Sequence, residues 1–349
     1  MREWSLGALV DPDNFQNALD VRGGDSGELL RSLAMMYRIR LVERCLAGGR
    51  RDGVIGGPVH LGVGQEAIAV GVAAELRKTD RVFGAHRSHS HVVSLGADLR
   101  RLFSEVLGRD TGLSRGMGGS MHLWDQPNGF YGSVPIVAGT VPLAVGAGLA
   151  AKLQYTDNVA VAYLGDGALE EGVVHESLNL ARMLKAPVLF VVENNLFASH
   201  MHISLRQPAD STARFASAND MPFNIVDGND VIAVREAAAK LIAQARAGEG
   251  PGFLEAITYR WYGHVDWRED IDVGVQRSAD VVMSWRKRDP IARLVSGLIA
   301  AEICSEREVV EIESRMAEQV DEAWKQALND PYPDDACLLG RVYCGAGPA

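Results

Sequence analysis

The chain has 349 residues, 47% of them hydrophobic and 23% charged, a composition typical of a globular protein with two average domains or one large α/β domain. Its formal net charge is −10, which disfavours nucleic acid as a partner. The four cysteines form no C-x-x-C pair and the N-terminus has no signal-peptide pattern, so we expect a cytoplasmic protein with reduced thiols.

The N-terminal part of the chain is predicted to be an arm followed by a long amphipathic helix and two further helical segments. Residues 1–27 show no periodicity, so we expect an N-terminal arm there and a single domain with C-terminal helices over residues 28–349. Apolar residues at helical spacing predict helices over residues 28–47, 65–76 and 98–107. Residues 108–139 carry almost only loop signals, and loops of that length are uncommon in compact domains unless they are functional.

An uncharged stretch over residues 134–151 has a length at the lower limit for a membrane span. Pro135, Pro142 and several glycines interrupt it. We therefore expect a loop that enters a buried helix at Pro142, because proline suits the first helical turn, and we expect no membrane partner.

The middle of the chain predicts a parallel β-sheet. A strand over residues 158–164, a helix over 170–185 and a strand over 187–192 form a βαβ unit. Further elements are predicted over residues 224–226, 231–247 and 252–259, and helix starts at Asp289–Pro290 and at Ser305 with Glu308. The expected fold class is α/β, a doubly wound, mostly parallel sheet flanked by helices.

Polar residues follow two of the predicted strands. Gly165-Asp166-Gly167-Ala168 ends the first strand, and Glu193-Asn194-Asn195 ends the second. Ligands of open parallel sheets bind beyond the carboxyl ends of the strands, so the Asp166 carboxylate and the Asn195 amide oxygen should converge. Such oxygen ligands suit Mg²⁺, while the glycines and the following helix start suit a diphosphate. The pattern predicts a Mg²⁺-diphosphate site.

Five motifs together resemble one family. They are G-D-G with N-N, His60 to Ala67, His86 to His89, Gly116 to His122 and Tyr259 to His264. In this order they resemble the α subunit of the first component of two-chain 2-oxo acid dehydrogenases of the pyruvate, branched-chain or acetoin type. The resemblance covers about residues 28–335 and implies the thiamine-diphosphate-binding fold, in particular the half that binds Mg²⁺ and the diphosphate.

The resemblance also implies a role for each matching residue. Asp166, Asn195 and the backbone carbonyl of Phe197 would bind Mg²⁺. His60 and His264 match the catalytic histidines, which would stabilise the substrate and assist proton and acyl transfer. The implied cofactor-binding residues are His86, Arg87, Pro135, Val137, Gly165, Gly167, Ala168, Asn195 and Arg260.

The resemblance implies partners as well. A β subunit would supply the pyrimidine-binding half in an α2β2 heterotetramer, and a lipoyl-domain acyltransferase would accept the acyl unit. The substrate would be a 2-oxo acid or acetoin. Two alternatives stay open: a two-component thiamine-diphosphate-dependent acyl or ketol transferase that acts as a carboligase, and a non-catalytic scaffold that retains the fold.

Some local features differ from the family or allow another interpretation. Val265 to Asp270 replaces a serine- and aspartate-rich loop, and Val265 stands at the regulatory serine, so we expect no control by phosphorylation there. Residues 203–221 should order around the bound cofactor. His86, His89 and His91 lack the spacing of a zinc site, and we expect a polar network of loop side chains instead.

Overall fold

A computed structural model describes residues 4–265, 267–268, 271–272 and 275–341. Its centre is a six-stranded sheet in the order β2-β1-β3-β4-β8-β7, and every pairing within this sheet is parallel. Its strands are β1 (Arg81–Gly84), β2 (Phe130–Ser133), β3 (Ala160–Gly165), β4 (Val188–Asn194), β7 (Phe223–Asp227) and β8 (Gly252–Ile257). Two short hairpins pair β5 (Phe197–Ala198) with β6 (Met201–His202) and β9 (Ile271–Asp272) with β10 (Val275–Gln276).

Helices cover both faces of the sheet. They are α1 (Ser26–Arg51), α2 (Glu66–Ala73), α3 (His89–Ser94), α4 (Leu99–Val106), α5 (Val141–Leu153), α6 (Gly172–Leu184), α7 (Ala213–Ala218), α8 (Val231–Arg246), α9 (Ala279–Arg286), α10 (Pro290–Ala300), α11 (Glu306–Asn329) and α12 (Cys337–Gly340). The predicted doubly wound α/β class is confirmed.

The two faces of β3 bury different cores, as expected for a strand covered by helices on both sides. Val161 and Tyr163 pack into the larger core together with α1, α2 and α8. Ala162 and Leu164 pack into the second core together with α5 and α6. The side chains alternate between the faces, so the strand is apolar throughout and ends abruptly at the polar G-D-G turn.

Several helix starts agree with the local sequence signals. Helix α5 begins at Val141 with Pro142 in its first turn. The Asp289 side chain caps α10, accepting a 3.0 Å hydrogen bond from Ile291 N. Ser305 and Glu308 form the predicted capping box at the start of α11. These predictions are confirmed because each depends on contacts within one helical turn.

Three predictions need correction. The segment over residues 108–139 is mostly loop, but it contains the edge strand β2 and a 3₁₀ turn at Gln126–Asn128. Strand β1 was absent from the predicted elements because four residues are too few for a clear period. His89 and His91 lie in helix α3 rather than in a loop.

The described part of the expected arm lies against the rest of the molecule. Leu6, Leu19 and Val21 are buried, and the backbone N–H of Leu19 donates to the Arg293 carbonyl at 3.1 Å. The first helix starts at Ser26, two residues before the expected boundary at residue 28, because the Asp25 side chain caps it. Within the described ranges, no helix combines the length and apolar character needed to cross a bilayer.

Candidate active site

A cavity of about 390 Å³ opens beyond the carboxyl ends of β3 and β4. All the site residues predicted from the sequence line it, with the exception of Arg260. The parallel register pairs Gly165 with Glu193, so the G-D-G turn and the E-N-N turn leave the sheet side by side. The expected convergence of Asp166 and Asn195 on one cavity is therefore present in the structure.

The G-D-G turn is tight because another loop lies directly against it. A 3₁₀ helix follows β3 at Asp166–Glu170. A Cβ atom on Gly167 would lie 2.6 Å from the Cβ of Ala198, which is closer than real Cβ atoms approach. Only glycine lets the loop after β4 reach this turn. The Gly167 and Ala168 backbone is thereby left open to the cavity.

Asp166 carries a buried carboxylate whose two oxygens differ. The residue is 1% exposed, and its Oδ2 accepts a hydrogen bond from the Arg206 guanidinium. Its Oδ1 is buried and has no hydrogen-bond partner among the residues that the structure describes. Burial raises the pKa of Asp166, and the nearby Arg206 opposes that shift. A buried oxygen without a partner is costly, and a hard cation bound at Oδ1 would remove that cost.

The two asparagines after β4 have different tasks. Asn194 is fully buried and donates to the Glu255 carboxylate at 2.8 Å, which anchors the end of the strand. Asn195 lines the cavity, and its Oδ1 accepts from the backbone N–H of Phe197 at 3.2 Å. Leu196, which follows Asn195, adopts a left-handed φ of 71° that turns the chain toward Phe197.

The donors gathered here fit the predicted cation. Asp166 offers a carboxylate oxygen, Asn195 an amide oxygen with a second lone pair, and Phe197 a backbone carbonyl, and all three residues line the same cavity. Mg²⁺ prefers such oxygen donors and keeps phosphate and water oxygens as its other ligands. The glycine backbone beside them suits a diphosphate.

Three histidines lie close together in the lining of the cavity. The ring centroid of His60 lies 4.5 Å from that of His86 and 5.0 Å from that of His264, and the centroids of His86 and His264 are 5.2 Å apart. Burial, helped by the positive charge of Arg87, lowers the pKa of His60 far below its ordinary value and that of His86 to about 3. These two imidazoles are therefore neutral at pH 7, and His60 Nδ1 is buried without a hydrogen-bond partner in the described part of the chain.

The two predicted phosphate-binding arginines occupy different places. Arg87 lines the cavity, where its Nη2 lies 3.4 Å from His264 Nδ1 and its Nη1 donates to the Leu61 carbonyl. Arg260 is buried behind the wall and donates to the carbonyls of Ser199 and Tyr262. Ser199 lines the cavity, so Arg260 supports the wall, and its contact with a phosphate stays a prediction.

An apolar turn forms the rim of the cavity. Pro135 and Val137 line the cavity as expected, yet Ile136 is 70% exposed and Val137 48% exposed. Ala138, the next residue, has a left-handed φ of 59°, which an alanine adopts only where the surroundings impose it. The backbone of the turn is therefore held in one shape, and its side chains Ile136 and Val137 are exposed to solvent at the mouth of the cavity.

Some cavity residues were missed by sequence reasoning. Glu193 and Tyr163 line the cavity, and Glu193 Oε1 lies 3.2 Å from the Nε2 of His91, whose ring stacks on Tyr163 at 3.7 Å. His89 contacts Glu43 and Ser120 elsewhere in the same layer. The polar network expected around His89 and His91 is present, with carboxylate and hydroxyl partners. The position of Glu193, directly before N-N, is the signal that was available.

The loop after His264 is only partly described. Arg268 accepts a 3.0 Å backbone hydrogen bond from Gly263, and Trp267 is 37% exposed. Asp266, Glu269 and Asp270 lie outside the described residues. The expectation that Val265 removes a phosphorylation site stays a prediction.

The architecture and the site are those of a subunit with a parallel α/β sheet and a cavity for a diphosphate cofactor at the carboxyl ends of its strands. The model of the dehydrogenase E1 component family matches residues 33–335, so the chain belongs to this family. The motif-based resemblance to its α subunits is thereby confirmed, and with it the thiamine-diphosphate-dependent dehydrogenase function.

Individual relatives agree with that membership. The α subunit of acetoin:2,6-dichlorophenolindophenol oxidoreductase from Bacillus subtilis (strain 168) is 39% identical over 293 residues, covering 84% of this chain and 86% of that protein. The pyruvate dehydrogenase E1 component subunit α from Rhizobium meliloti (strain 1021) is 36% identical over 321 residues, covering 90% and 91%. The somatic mitochondrial form from Bos taurus is 33% identical over 319 residues, covering 91% and 80%.

Proposed function

We propose that this chain and a β subunit form an α2β2 enzyme that acts on a 2-oxo acid or on acetoin. The enzyme breaks the C–C bond beside the substrate carbonyl and transfers the acyl unit to a lipoyl-domain acyltransferase. The observation that carries the proposal is the buried Asp166 Oδ1 without a partner, in the same cavity as Asn195 and Phe197. The names of the relatives support both substrate types.

The residues of the chain would hold the cofactor in two parts. Asp166, Asn195 and the Phe197 carbonyl bind Mg²⁺, while the backbone of Gly167 and the Arg87 guanidinium bind the diphosphate. When bound, thiamine diphosphate supplies the carbanion that adds to the substrate carbonyl and stabilises the electrons of the broken bond.

The histidine cluster would handle protons. The neutral imidazoles of His60 and His86 can hydrogen-bond substrate oxygens and, as negative charge develops on such an oxygen, share a proton with it. His60 Nδ1 is the best placed of these nitrogen atoms, because it is buried and none of the described residues is its hydrogen-bond partner. Burial and the charge of Arg87 lower the pKa values of these imidazoles and keep them neutral, and Arg87 also contributes positive charge near the substrate oxygens.

The exposed apolar turn at Ile136 and Val137 supports the proposal that a β subunit binds this chain. Ile136 and Val137 form a fixed apolar turn at the cavity mouth, and an exposed apolar rim indicates a contact with another protein. We propose that the β subunit covers this turn and completes the cavity. We also propose a cytoplasmic location, which the free thiols Cys45 and Cys304 support.

The test uses the α chain co-expressed with a β chain of the same family. Reduction of an artificial electron acceptor is measured with pyruvate, branched-chain 2-oxo acids and acetoin, with Mg²⁺ and thiamine diphosphate present. We expect turnover with at least one substrate, its loss in Asp166→Ala, and full activity in the exposed control Asp13→Ala.

Two results would contradict the proposal. Carboligation products formed without any lipoyl acceptor would favour the acyl or ketol transferase. Failure of the α–β complex to bind the cofactor, with Asp166→Ala indistinguishable from the parent protein, would favour a non-catalytic scaffold.

A further inference from the structure

Arg206 binds one oxygen of the Asp166 carboxylate, Oδ2, and does not contact the other oxygen, Oδ1. This arginine lies in the loop over residues 203–212, and its side chain is only 5% exposed. It donates to Asp166 Oδ2 and to Glu170 Oε1, and its Nε donates to the Met201 carbonyl at 3.0 Å. A guanidinium has a planar fork of donors, so one arginine bridges both carboxylates.

The loop fixes this arginine from the other direction. Gln207 Nε2 donates to Glu170 Oε1 at 2.9 Å and to the Asp166 carbonyl at 3.3 Å. Arg214 Nη2 in turn donates to Gln207 Oε1 at 2.6 Å. Arg206 thus has a defined place beside the G-D-G turn, where its Nη1 would be 3.7 Å from a Cβ atom on Gly167.

The two Asp166 oxygens have different surroundings, and this difference indicates whether Arg206 competes with a cation or positions its ligand. A competitor of the metal would occupy the oxygen that the metal needs. Arg206 takes only Oδ2, and Oδ1 has no partner within the described ranges although the Asp166 side chain is buried. Ligating carboxylates are commonly oriented by a hydrogen bond to their second oxygen. Glu170 also holds the guanidinium, so Arg206 keeps its place when a cation reaches Oδ1.

We propose that Arg206 is a positioning residue of the cation site, which fixes the rotamer of Asp166 and leaves Oδ1 free for the cation. It also balances the charge of this buried carboxylate before a cation is bound. The inference rests on the proposed Mg²⁺ site and assigns a residue outside the G-D-G and N-N motifs to it.

Binding of Mn²⁺, a spectroscopic substitute for Mg²⁺, tests the proposal without an activity assay. The α–β complex is titrated with Mn²⁺ in the presence of thiamine diphosphate, and free Mn²⁺ is followed by electron paramagnetic resonance. We expect Arg206→Met to weaken Mn²⁺ binding by about 10- to 100-fold, the usual effect of removing a partner of a ligand. The spectrum of the remaining bound Mn²⁺ should broaden, because Asp166 samples several rotamers.

Two further variants separate positioning from loop folding. Arg214→Met loosens the same loop but leaves the contacts of Arg206 with Asp166 and Glu170 in place, so its Mn²⁺ affinity should fall clearly less than that of Arg206→Met. Arg206→Lys keeps the charge but cannot bridge both carboxylates, and should recover part of the affinity lost in Arg206→Met. If Arg206→Met does not fold, a loss in Arg206→Lys of at least about threefold supports the proposal, and parent affinity overturns it.

The outcomes that overturn the proposal are distinct from failure of the proposed function. Unchanged or tighter Mn²⁺ binding in Arg206→Met, or an equal loss in Arg214→Met, overturns the positioning role alone. Retained affinity in Asp166→Ala overturns the cation site itself.

Discussion

Glu105 is the residue whose replacement should most clearly change the glycine-rich loop beside the cavity. It lies in the last turn of α4 and is fully buried. Its Oε2 accepts from the backbone N–H groups of Ser114 at 2.6 Å and Gly116 at 3.0 Å. Its Oε1 accepts from those of Gly118 at 2.7 Å and Gly119 at 3.2 Å. One carboxylate thus shapes the loop over residues 114–119.

The expected cost of Glu105→Gln follows from these four contacts. The amide keeps one acceptor oxygen but turns an NH₂ group toward the other two backbone donors. Each buried donor left without a partner costs about 1–3 kcal/mol, so the substitution should cost about 2–6 kcal/mol if the loop keeps its shape. If the loop instead opens, it escapes part of that cost, and the global loss is smaller while the loop loses its protection.

Two measurements distinguish these responses. Urea unfolding gives the change in the free energy of unfolding, and amide hydrogen exchange with trypsin cleavage after the exposed Arg115 gives the local opening. We expect faster exchange at Ser114, Gly116, Gly118 and Gly119 in either case. The exposed Glu318→Gln is the matched control, with a change within about 0.5 kcal/mol. Parent-like exchange together with parent-like stability in Glu105→Gln would refute the reasoning.

Three further predictions concern the turn at the cavity, a helix contact and pH. Gly167→Ala should push Ala198 and the Phe197 carbonyl away, costing about 1–3 kcal/mol in thermal or urea unfolding and weakening Mn²⁺ binding at least about tenfold; parent affinity would contradict this. Gly71→Ala places a Cβ atom 2.8 Å from Val234 Cγ1 and should destabilise the α2–α8 contact by a similar amount, whereas Gly48→Ala in α1 meets no atom within 4 Å and should be neutral or stabilising. Folding depresses the pKa values of His60 and His86, so below about pH 6.5 these histidines are protonated in the unfolded chain but still neutral in the folded one. The free energy of unfolding should therefore decrease as the pH is lowered, by up to about 1.4 kcal/mol per pH unit for each histidine. Urea unfolding of His86→Asn should show a weaker dependence on pH between about pH 6.5 and pH 4 than the parent protein.

The sequence predicted those parts of the fold that short-range chemistry determines. Pro142 and the pair Ser305 and Glu308 mark helix starts through contacts within one turn, and they were placed correctly. The run of apolar residues before Gly165 similarly predicted β3. Strand β2 could not be predicted, because the pairing of Phe130 with Val82 joins segments far apart in the chain. Edge strands of four residues gain their stability from such pairing rather than from their own pattern.

The site was predictable where a motif carries it and not where a distant loop completes it. Asp166 and Asn195 end neighbouring strands, so topology alone brings them together. Arg206 reaches Asp166 from 40 residues further along the chain, through a loop shaped by Gln207 and Arg214. Nothing in the local pattern around Arg206 distinguishes it from a solvated arginine. Its role follows only from its burial and from the oxygen that it leaves free.

The charges around Asp166 imply that the cation and the diphosphate bind cooperatively. A cation that arrives alone meets a carboxylate whose charge Arg206 already balances, in a cavity that Arg87 also lines. A diphosphate that arrives alone places its negative charge beside Asp166 and Glu193. Each ligand removes the repulsion that the other meets, so both bind more tightly together.

Linkage makes this prediction strict, because the two effects must be equal. The factor by which thiamine diphosphate tightens Mn²⁺ binding must equal the factor by which Mn²⁺ tightens cofactor binding, and we expect about 5- to 150-fold. Calorimetric titrations of the α–β complex in both orders measure the two factors. If the two ligands instead bind independently, neither one changes the electrostatic repulsion that the other meets. That result would contradict the cooperative binding inferred from the charges around Asp166.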